Sequence, residues 1–504
     1  MSRSSASRSA IVIGAGLGGL SAAIRLAGAG YLVTVYERQP YPGGKAGTEE
    51  RDGYRFDTGP SLLTMPHVIE RIFADAGRVW TDYIQVERLP VICNYFWRDG
   101  TRLHAYGEPE RFAAEVEAVT GEPAANVLRY LEHARRVDDA ASELFLWKSL
   151  HDRRTFASKL FWKSLLKVGR IDSFRTLNRA NESFFRDPRV VQLFNRYATY
   201  NGSNPYRTPA TFTIIPYVEY VQGGYAVVGG IHAIPRALER LAVELGVRFE
   251  YNTTVERIVS MPEGRRRRVT GVVVNGAEVP ADAVVSNVDV SVTYPALLAD
   301  EFAPQLQRYR RLEPSSSGLV FYWGVSERFE ELSVNNIFFS RDYRREFAEI
   351  FDEHRCPTDP TIYINITSKV TPTDAPDGGE NWFILVNAPY VGEQEWERET
   401  HRVRATVVER LSTALGRDIE LLIATEGIMT PVDIERKTMS HRGALYGISS
   451  NTTFAAFARH PNRSRDYRGL YFCGGSAHPG GGMPLVMLSG RIAADLATYD
   501  HADA

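Results

Sequence analysis

The sequence predicts an α/β protein in which one domain is assembled from separated stretches of the chain, with an α+β domain inserted between them. The chain opens with a β-like run at 10–13, a glycine-rich turn, a helical stretch at 21–29 and a second β-like run at 32–36. Its last residues repeat strand, glycine-rich turn and helix, with the strand at 469–473 and the helix at 485–497. This βαβ type of pattern therefore lies at both ends, and 504 residues leave room for two to four domains at roughly 150 residues each.

The elements between the two ends follow from the spacing of apolar residues. Residues 75–225 are predicted to be mostly helical, apart from a hairpin-like patch at 91–103. A helix is expected within 229–250, because apolar side chains recur there on one helical face. Apolar β-like runs predict further strands at 248–251, 256–259, 269–274, 283–286, 318–323, 361–366 and 382–387. The turn signal at 262–264 and the four arginines after it predict a solvated hairpin.

Composition excludes several classes of protein. The chain has 59 Lys and Arg against 61 Asp and Glu, and a net charge of −2 does not steer it to nucleic acid. Its three cysteines, Cys93, Cys356 and Cys473, are too few and too scattered for a disulfide framework or a zinc cluster, so we expect no metal and a cytoplasmic setting. No stretch reaches the roughly 18 apolar residues that a transmembrane helix needs. A nucleotide-binding turn explains the glycines at 14–19 better than a signal peptide does.

Residues 144–170 carry seven Lys and Arg against one Asp, with aromatic side chains interleaved among them. Basic residues with aromatic anchors are typical of a helix lying on anionic lipid. The other interpretation is a helical lid whose apolar face covers the core. The first interpretation predicts peripheral association with a membrane surface.

The first glycine cluster matches G-x-G-x-x-G through Gly14, Gly16 and Gly19. Gly14 permits a tight turn, Gly16 lets the backbone approach a pyrophosphate, and Gly19 lets helix and strand pack closely. The following helix points its positive end at the phosphates. Glu37 ends the next strand, 18 residues past Gly19, where a carboxylate accepts hydrogen bonds from a ribose diol. The pattern predicts a Rossmann-like dinucleotide cradle and leaves FAD and NAD open.

Four stretches carry a resemblance to a known family: IVIGAGLGGLSAAIRLAGAGYLVTVYE, the GGK that follows it, FDTGPSLLT, and LYFCGGSAHPGGGMPLVMLSGRIAADLA. With these the chain resembles the FAD-dependent carotenoid desaturases of the bacterial phytoene desaturase type, within the amine-oxidase-like flavoprotein superfamily. The resemblance spans essentially the whole chain. It implies a discontinuous Rossmann-like FAD-binding domain at 1–75, 226–295 and 425–504. An inserted α+β substrate-binding domain takes up 76–225 and 296–424, with membrane-facing helices near 144–170.

The resemblance also implies FAD as the cofactor and a set of residues beside it. Beyond the first glycine cluster and Glu37, these are Gly43, Gly44, Lys45, Gly59, Val255, Gly475, Ser476 and Met483. Many relatives carry an acid in the last glycine turn to hold the ribityl chain. This turn has none, so Ser476 or the backbone is expected to do so. His478 in the same turn is a weak candidate for an acid or base, and a structural histidine is the alternative.

The function that this resemblance implies is FAD-dependent desaturation of an acyclic carotenoid, with hydride transfer from the polyene to the flavin. The substrate is a long apolar molecule held in a tunnel, and the electron acceptor is oxygen or a quinone. The ending GGSAHPGGGMPLVMLSG and the stretch YATYNGSNPY at 197–206 resemble the hydroxycarotenoid 3,4-desaturase branch more than the phytoene branch. A hydroxylated end group needs a polar partner in the tunnel, for which Asn201, Asn204 and Tyr217 are candidates. The catalytic base is not identified by the sequence.

Other functions remain open at this point. They are a phytoene desaturase, a carotenoid cis–trans isomerase that uses reduced flavin, an amine oxidase with an aromatic cage, and a module that binds prenylated GTPases without a flavin. The intact turn at Gly43, Gly44 and Lys45 and the last glycine turn argue against the flavin-free module.

Overall fold

A five-stranded parallel sheet gathers strands from both ends and the middle of the chain. The computed structural model describes residues 8–165, 167, 169, 171–452 and 459–502. Across the sheet the strands are Leu470–Phe472, Ala283–Ser286, Ser9–Ile13, Leu32–Tyr36 and Arg248–Glu250. Because all five run in one direction, the residues that follow them meet at one edge, which is where open α/β sheets bind ligands.

Three smaller sheets flank this layer. The predicted hairpin with the four arginines forms, and it belongs to a four-stranded sheet of Val255–Glu263, Arg266–Val274, Ala277–Pro280 and Tyr467–Arg468. Two-stranded sheets pair Thr48–Arg51 with Tyr54–Asp57, and Val86–Arg88 with Tyr225–Val227. The last pair ties the region around Val86–Arg88 to the segment that leads back into the parallel sheet at Arg248–Glu250.

A seven-stranded sheet forms the wall of the second layer. Its strands in order are Ile423–Met429, Ser317–Val325, Glu380–Ala388, Ile362–Ile366, Asn335–Phe338, Val91–Phe96 and Arg102–Tyr106. Neighbouring strands are antiparallel, except that Asn335–Phe338 runs parallel to Val91–Phe96. The second strand in this order, Ser317–Val325, is buried at every position, as expected for a strand covered on both faces.

Helices cover both sheets. Those of the first layer are Leu17–Gly28, Pro66–Asp75, Ala233–Glu244 and Met483–Ala502. The others are Pro109–Thr120, Ala124–Trp147, Arg153–Ala157, Lys159–Leu165, Leu177–Phe184, Pro188–Asn195, Ile214–Tyr217, Val290–Val292, Pro304–Arg310, Tyr343–Phe351, Trp396–Leu415, Ile419–Leu422 and Pro431–Thr438. The predicted fold class, a discontinuous Rossmann-like α/β domain with an α+β insertion, is confirmed.

Two local predictions need correction. The first helix begins at Leu17 rather than at 21, because Gly18 and Gly19 are already part of the helix. The segment 144–170 is not one interfacial helix. It consists of the end of Ala124–Trp147 followed by the short helices Arg153–Ala157 and Lys159–Leu165. Asp152 caps the first short helix by accepting a hydrogen bond from the Arg154 N–H, and such caps favour a new helix start. Leu166, Val168 and Arg170 lie outside the described residues.

The first helix and the C-terminal helix Met483–Ala502 pack with their backbones in close contact. A Cβ placed on Gly490 would lie 2.0 Å from the carbonyl oxygen of Gly18. The Ser21 hydroxyl of the first helix donates to the Met487 carbonyl at 2.7 Å. Met487 lies on the C-terminal helix, three residues before Gly490. The small side chains of both helices therefore fix the position of the first glycine turn relative to the last one.

Candidate functional site

A cavity of about 1740 Å³ runs from the carboxyl edge of the parallel sheet to the face of the seven-stranded sheet. Gly14, Gly16 and Glu37 line one end, and Phe383 and Leu385 line the other. A site for one drug-sized ligand measures about 300–1,000 Å³. The cavity is thus large enough for a dinucleotide and a second long ligand meeting end to end.

The first glycine turn forms the floor of the cavity at the sheet edge. Gly14 has φ of +97°, which favours glycine, and Gly16 is the residue before the helix Leu17–Gly28. The free N–H groups of that helix start therefore point to the cavity. Gly19 does not line the cavity. A Cβ there would meet the Gly14 carbonyl oxygen at 2.1 Å, so Gly19 serves the close packing of helix on strand.

The second predicted turn lies against the first. The Gly43 N–H donates to the Ala15 carbonyl at 2.9 Å, and a Cβ on Gly44 would lie 3.4 Å from Gly16 Cα. Gly43 and Gly44 have φ of +124° and +59°. The structure brings these two glycine turns together as one continuous backbone surface along the cavity, with little side-chain bulk over it.

Glu37 stands at the end of its strand as predicted, with 8% of its surface exposed. Its carboxylate accepts hydrogen bonds from the N–H of Ala15 at 2.7 Å and of Gln39 at 2.9 Å. A carboxylate has about four lone-pair sites. Glu37 therefore holds the first glycine turn and still has acceptor sites for a diol at the cavity wall.

Lys45 connects the second turn to a distant loop. Its Nζ donates to the carbonyls of Ala444 at 2.9 Å and Leu445 at 2.8 Å. Removal from water lowers the pKa of Lys45 from 10.5 to about 8, although Asp289 acts in the opposite direction. Gly59 packs on the same segment, since its Cβ would lie 2.0 Å from the Lys45 carbonyl oxygen. Both residues line the cavity.

We expect the pH dependence of FAD binding to report on Lys45. An anionic dinucleotide favours the protonated ammonium, so affinity falls as pH rises through the pKa of about 8. The dissociation constant, measured by flavin fluorescence, is expected to rise by about three- to tenfold from pH 7 to pH 9. Lys45→Met is expected to remove this slope. An equal slope in wild type and variant would contradict the role of Lys45.

The remaining predicted cofactor residues line the same part of the cavity. Val255 begins the strand Val255–Glu263 and lines the cavity, and the Thr253 N–H just before it donates to the Glu37 carbonyl at 2.9 Å. Gly475, Ser476 and Met483 line it from the last glycine turn. The Ser476 hydroxyl accepts a hydrogen bond from the Val290 N–H at 3.2 Å. Three separate stretches of chain thus meet around one end of the cavity: the start of the strand Val255–Glu263, the segment at Val290, and the last glycine turn.

His478 is placed differently. Its ring is fully buried and does not line the cavity. Nε2 lies 2.9 Å from the Lys148 carbonyl, and the ring packs edge-on against Phe145. Burial lowers the pKa of His478 to about 3, so the imidazole is neutral at physiological pH. This geometry favours the structural interpretation, in which His478 anchors the start of the 144–170 segment.

Two residues beside the cradle were not predicted from the sequence. Asn287 follows the strand Ala283–Ser286 and fills the space between the first and last glycine turns. A Cβ on Gly16 would lie 2.6 Å from its Nδ2, and one on Gly474 would lie 2.9 Å from its Oδ1. A polar residue directly after a predicted strand of a parallel sheet was the available signal.

Arg459 is the second of these residues. It is 4% exposed, lines the cavity, and donates to the carbonyl of Gly475 at 3.2 Å and to Asn201 Oδ1 at 3.2 Å. Among the described residues, no carboxylate lies within ion-pair distance of it. Burial lowers the pKa of Arg459 to about 10, which leaves the guanidinium charged at neutral pH. Nothing in the sequence pattern marked this buried cation.

The other half of the cavity is mainly apolar. Side chains from the seven-stranded sheet and the surrounding helices line it, among them Ile92, Ile215, Val218, Ile337, Phe383 and Leu385. Of the three polar candidates for a hydroxylated end group, Asn201 lines the cavity but is already hydrogen-bonded to Arg459 and Ser450. Asn204 and Tyr217 do not line it. A buried ion pair, Arg196–Glu219, also lines the cavity, and no sequence pattern marked it.

The residues at the cradle end fit FAD. Two glycine turns lie in contact, a helix start that would hold the phosphates borders the cavity, and a carboxylate with free acceptor sites lies 18 residues past Gly19. The last glycine turn and the buried Arg459 add backbone donors and positive charge farther along the cavity.

Comparison with known proteins agrees with this geometry. The family model described as flavin containing amine oxidoreductase matches residues 17–498. The chain is 43% identical to a 1-hydroxycarotenoid 3,4-desaturase of Flavobacterium sp., over 98% of this chain and 100% of the relative. It is 36% identical to a 4,4'-diapolycopene oxygenase of Methylomonas sp., over 97% and 98% of the two chains. The resemblance to carotenoid desaturases is confirmed.

Solved structures agree on the fold. An oxidoreductase from Methanosarcina mazei matches with a TM-score of 0.63 at 16% identity, over 98% of this chain and 100% of that one. A triple mutant of putrescine oxidase matches with a TM-score of 0.61 at 14% identity, over 99% of both chains. The chain belongs to the family of flavin-containing amine oxidoreductases, and it is an oxidoreductase with FAD as its cofactor.

Proposed function

We propose that the protein is a 1-hydroxycarotenoid 3,4-desaturase, which introduces a double bond between C3 and C4 of an acyclic carotenoid that carries a hydroxyl group on C1. The observation that carries the proposal is the continuity of the cavity, in which the FAD cradle and a mainly apolar chamber form one space of about 1740 Å³. The relative with 43% identity over nearly the full length of both chains supports the same reaction.

Bound FAD supplies the two-electron acceptor that a desaturation needs. The chain's own residues bind and orient the polyene. Apolar burial contributes about 25 cal/mol per Å², so walls such as Ile337, Phe383 and Leu385 hold a hydrocarbon without hydrogen bonds. The same walls exclude water and hold the reacting bond against the cofactor end. Backbone N–H groups of the last glycine turn and Arg459 stabilise negative charge developing there.

Product masses test the proposal. FAD-reconstituted protein is mixed with liposomes that hold either phytoene or a 1-hydroxylated acyclic carotene. We expect a loss of two hydrogens from the hydroxylated substrate only. Stepwise loss from phytoene would make the protein a phytoene desaturase. An unchanged mass with altered double-bond geometry would support a cis–trans isomerase, and no change with flavin bound would overturn the desaturase proposal.

The proposal includes a terminal electron acceptor, oxygen or a quinone. The two are separated by running the reaction in an oxygen electrode and then anaerobically with a soluble quinone. Oxygen uptake matched to product identifies oxygen as the acceptor. Product formed only when the quinone is present identifies the quinone.

A peripheral position at a membrane surface fits an apolar substrate of this kind. Among the described residues, no helix is both long and apolar enough to cross a bilayer. Next to the cavity, Trp162 and Phe174 are 60% and 95% exposed, and Phe156 and Phe174 also line the cavity. Three lysines, Lys159, Lys163 and Lys167, lie in the same segment. We propose that these side chains dock the cavity mouth on cytoplasmic anionic lipid.

Removal of the two exposed aromatic side chains is expected to weaken this docking. The double variant Trp162→Ser, Phe174→Ser is expected to bind anionic vesicles at least tenfold less well, because each buried aromatic side chain contributes about 1.5–3 kcal/mol. Vesicle co-sedimentation measures the effect. Phe302→Ser is the matched control, since Phe302 is 87% exposed elsewhere on the chain. Equal loss in variant and control would contradict this docking surface.

A further inference from the structure

A buried charged cluster lies in the wall of the otherwise apolar chamber. Arg196 Nη2 donates to Glu219 Oε1 at 2.8 Å, with 7% of the Arg196 side chain and 0% of the Glu219 side chain exposed. The Tyr200 hydroxyl donates to Glu219 Oε2. Arg196, Tyr200 and Glu219 all line the cavity. We call these three residues the Arg196 cluster.

Such a cluster is costly in the wall of a hydrocarbon site. Desolvation of each ion costs several kcal/mol, and a well-packed apolar pair is often as stable or more stable. A pure hydrocarbon would gain nothing from these groups. The backbone there is also irregular, because Arg196–Asn201 forms a 3₁₀ turn and Val218–Gln222 a π-helical turn. Turns of the π type are frequent at functional sites.

The cluster retains hydrogen-bonding capacity toward the cavity. Arg196 uses Nε for Tyr95 Oη at 2.7 Å and Nη2 for both Glu219 and Tyr197. Among the described residues, Nη1 has one partner, Tyr200 Oη at 3.4 Å, which is long for a hydrogen bond. Burial acts to lower the pKa of Arg196, but the neighbouring tyrosines and Glu219 outweigh it and keep the pKa above its ordinary value. A charged donor is therefore available to a ligand oxygen.

The cluster also lies on the side of the chamber that the reaction requires. In a 1-hydroxylated substrate the hydroxyl oxygen is about 4 Å from the C3–C4 bond, so its partner must be near the cofactor end. Ser61, two residues past Gly59, hydrogen-bonds to the Tyr363 hydroxyl at 2.6 Å. Burial raises the pKa of Tyr363, while Arg196 acts to lower it and Glu219 to raise it, so both charged groups lie near this ring. The loop that carries Gly59 and the Arg196 cluster thus border the same part of the cavity.

We propose that Arg196, Tyr200 and Glu219 form a binding subsite for the hydroxyl group at the end of the carotenoid. The inference rests on the proposed function and names the groups that select its substrate. Arg196 Nη1 donates to the substrate hydroxyl oxygen, and the substrate hydroxyl donates to Tyr200 or Glu219. A site built to bind a hydroxyl strongly rejects the analogue without it, because its buried polar groups then stay unpaired.

Paired substrates test the subsite. Wild type, Tyr200→Phe and Arg196→Lys are assayed with a 1-hydroxylated carotene and with its parent lacking the hydroxyl. We expect wild type to prefer the hydroxylated substrate at least 100-fold in kcat/KM. Both variants are expected to lower that preference at least tenfold, through a higher KM for the hydroxylated substrate and an unchanged KM for the parent. Arg196→Lys keeps the charge opposite Glu219 but loses the planar fork.

Tyr130→Phe is the matched control. Tyr130 belongs to the same hydrophobic cluster and does not line the cavity, and its hydroxyl has no partner among the described residues. It is expected to keep the full preference. No preference in wild type, or an unchanged preference in Tyr200→Phe with normal flavin content, would overturn the subsite.

A second readout separates this proposal from the proposed function. Dissociation constants for the two carotenes are taken from changes in flavin absorbance, without turnover. If neither carotene is desaturated, the function fails, while tighter binding of the hydroxylated carotene that is lost in Tyr200→Phe still supports the subsite. If the hydroxylated carotene is desaturated but both carotenes bind equally well, the proposed function stands and only the subsite is overturned.

Discussion

Gly490→Ala is expected to release FAD from the protein. The added Cβ would lie 2.0 Å from the Gly18 carbonyl oxygen and 2.9 Å from the Ala22 backbone nitrogen, and real Cβ atoms essentially never approach closer than 3.0 Å. No flexible side chain can move away, so the two helices must separate. Overpacking of this kind costs about 1–3 kcal/mol of stability. Gly18 lines the cavity in the first turn of the helix that would hold the phosphates of FAD, and we expect FAD affinity to fall at least tenfold.

The measurement is flavin content after gel filtration, together with the FAD dissociation constant. Gly28→Ala is the matched control, because Gly28 is the last residue of the helix that packs on Gly490, and a Cβ there meets nothing within 4 Å. It is expected to keep its flavin, with stability equal to or above wild type. Full flavin content in Gly490→Ala would show that the helix contact does not control the cradle.

Arg459→Met is expected to lower the reduction potential of the bound flavin. The buried guanidinium stabilises the negative charge that reduction brings into the cavity, at low effective dielectric. We expect the potential to fall by about 30–60 mV, which for a two-electron couple corresponds to about 1.4–2.8 kcal/mol. Reduction by substrate is expected to slow in proportion. Redox titration against a reference dye measures the potential.

A second buried arginine, Arg410, serves as the matched control, because it separates the effect of a charge at the cavity from the effect of losing any buried arginine. Arg410 is also a buried arginine that donates to backbone carbonyls, and its pKa is likewise lowered to about 10 by burial. It pairs with Asp359 and does not line the cavity. Arg410→Met is expected to reduce stability and leave the flavin potential unchanged. Equal potentials for Arg459→Met and wild type would contradict the electrostatic role of Arg459.

The elements with local signals could be predicted from the sequence. The strand Leu32–Tyr36 and the strand Ala283–Ser286 have the predicted bounds, because short runs of β-branched residues between turns define them. The glycine turn at 14–19 was recognisable because its residue types follow from backbone geometry. In these features the residue type at each position follows from the local backbone conformation, so the sequence alone reveals it.

Residues whose role depends on distant partners could not be predicted in this way. The Arg196–Glu219 pair joins two irregular helical turns, and Arg459 reaches the Gly475 carbonyl from another loop. His478 attracted attention as a turn histidine, yet its ring packs on a segment more than 300 residues earlier. Polar side chains at such positions have no periodicity, so only the folded arrangement separates cavity groups from buried structural ones.

The order of strands in the parallel sheet has a consequence for biosynthesis. Two of its strands, Ser9–Ile13 and Leu32–Tyr36, are synthesised about 430 residues before Leu470–Phe472. At about 5–20 residues per second, the early strands wait roughly 20–90 s for their last partner. The nascent chain therefore carries an unfinished sheet edge while the residues between these strands are synthesised, and closure of such distant contacts is slow. The first glycine turn therefore meets the last one, and the complete cofactor cradle forms, only after Leu470–Phe472 has been synthesised.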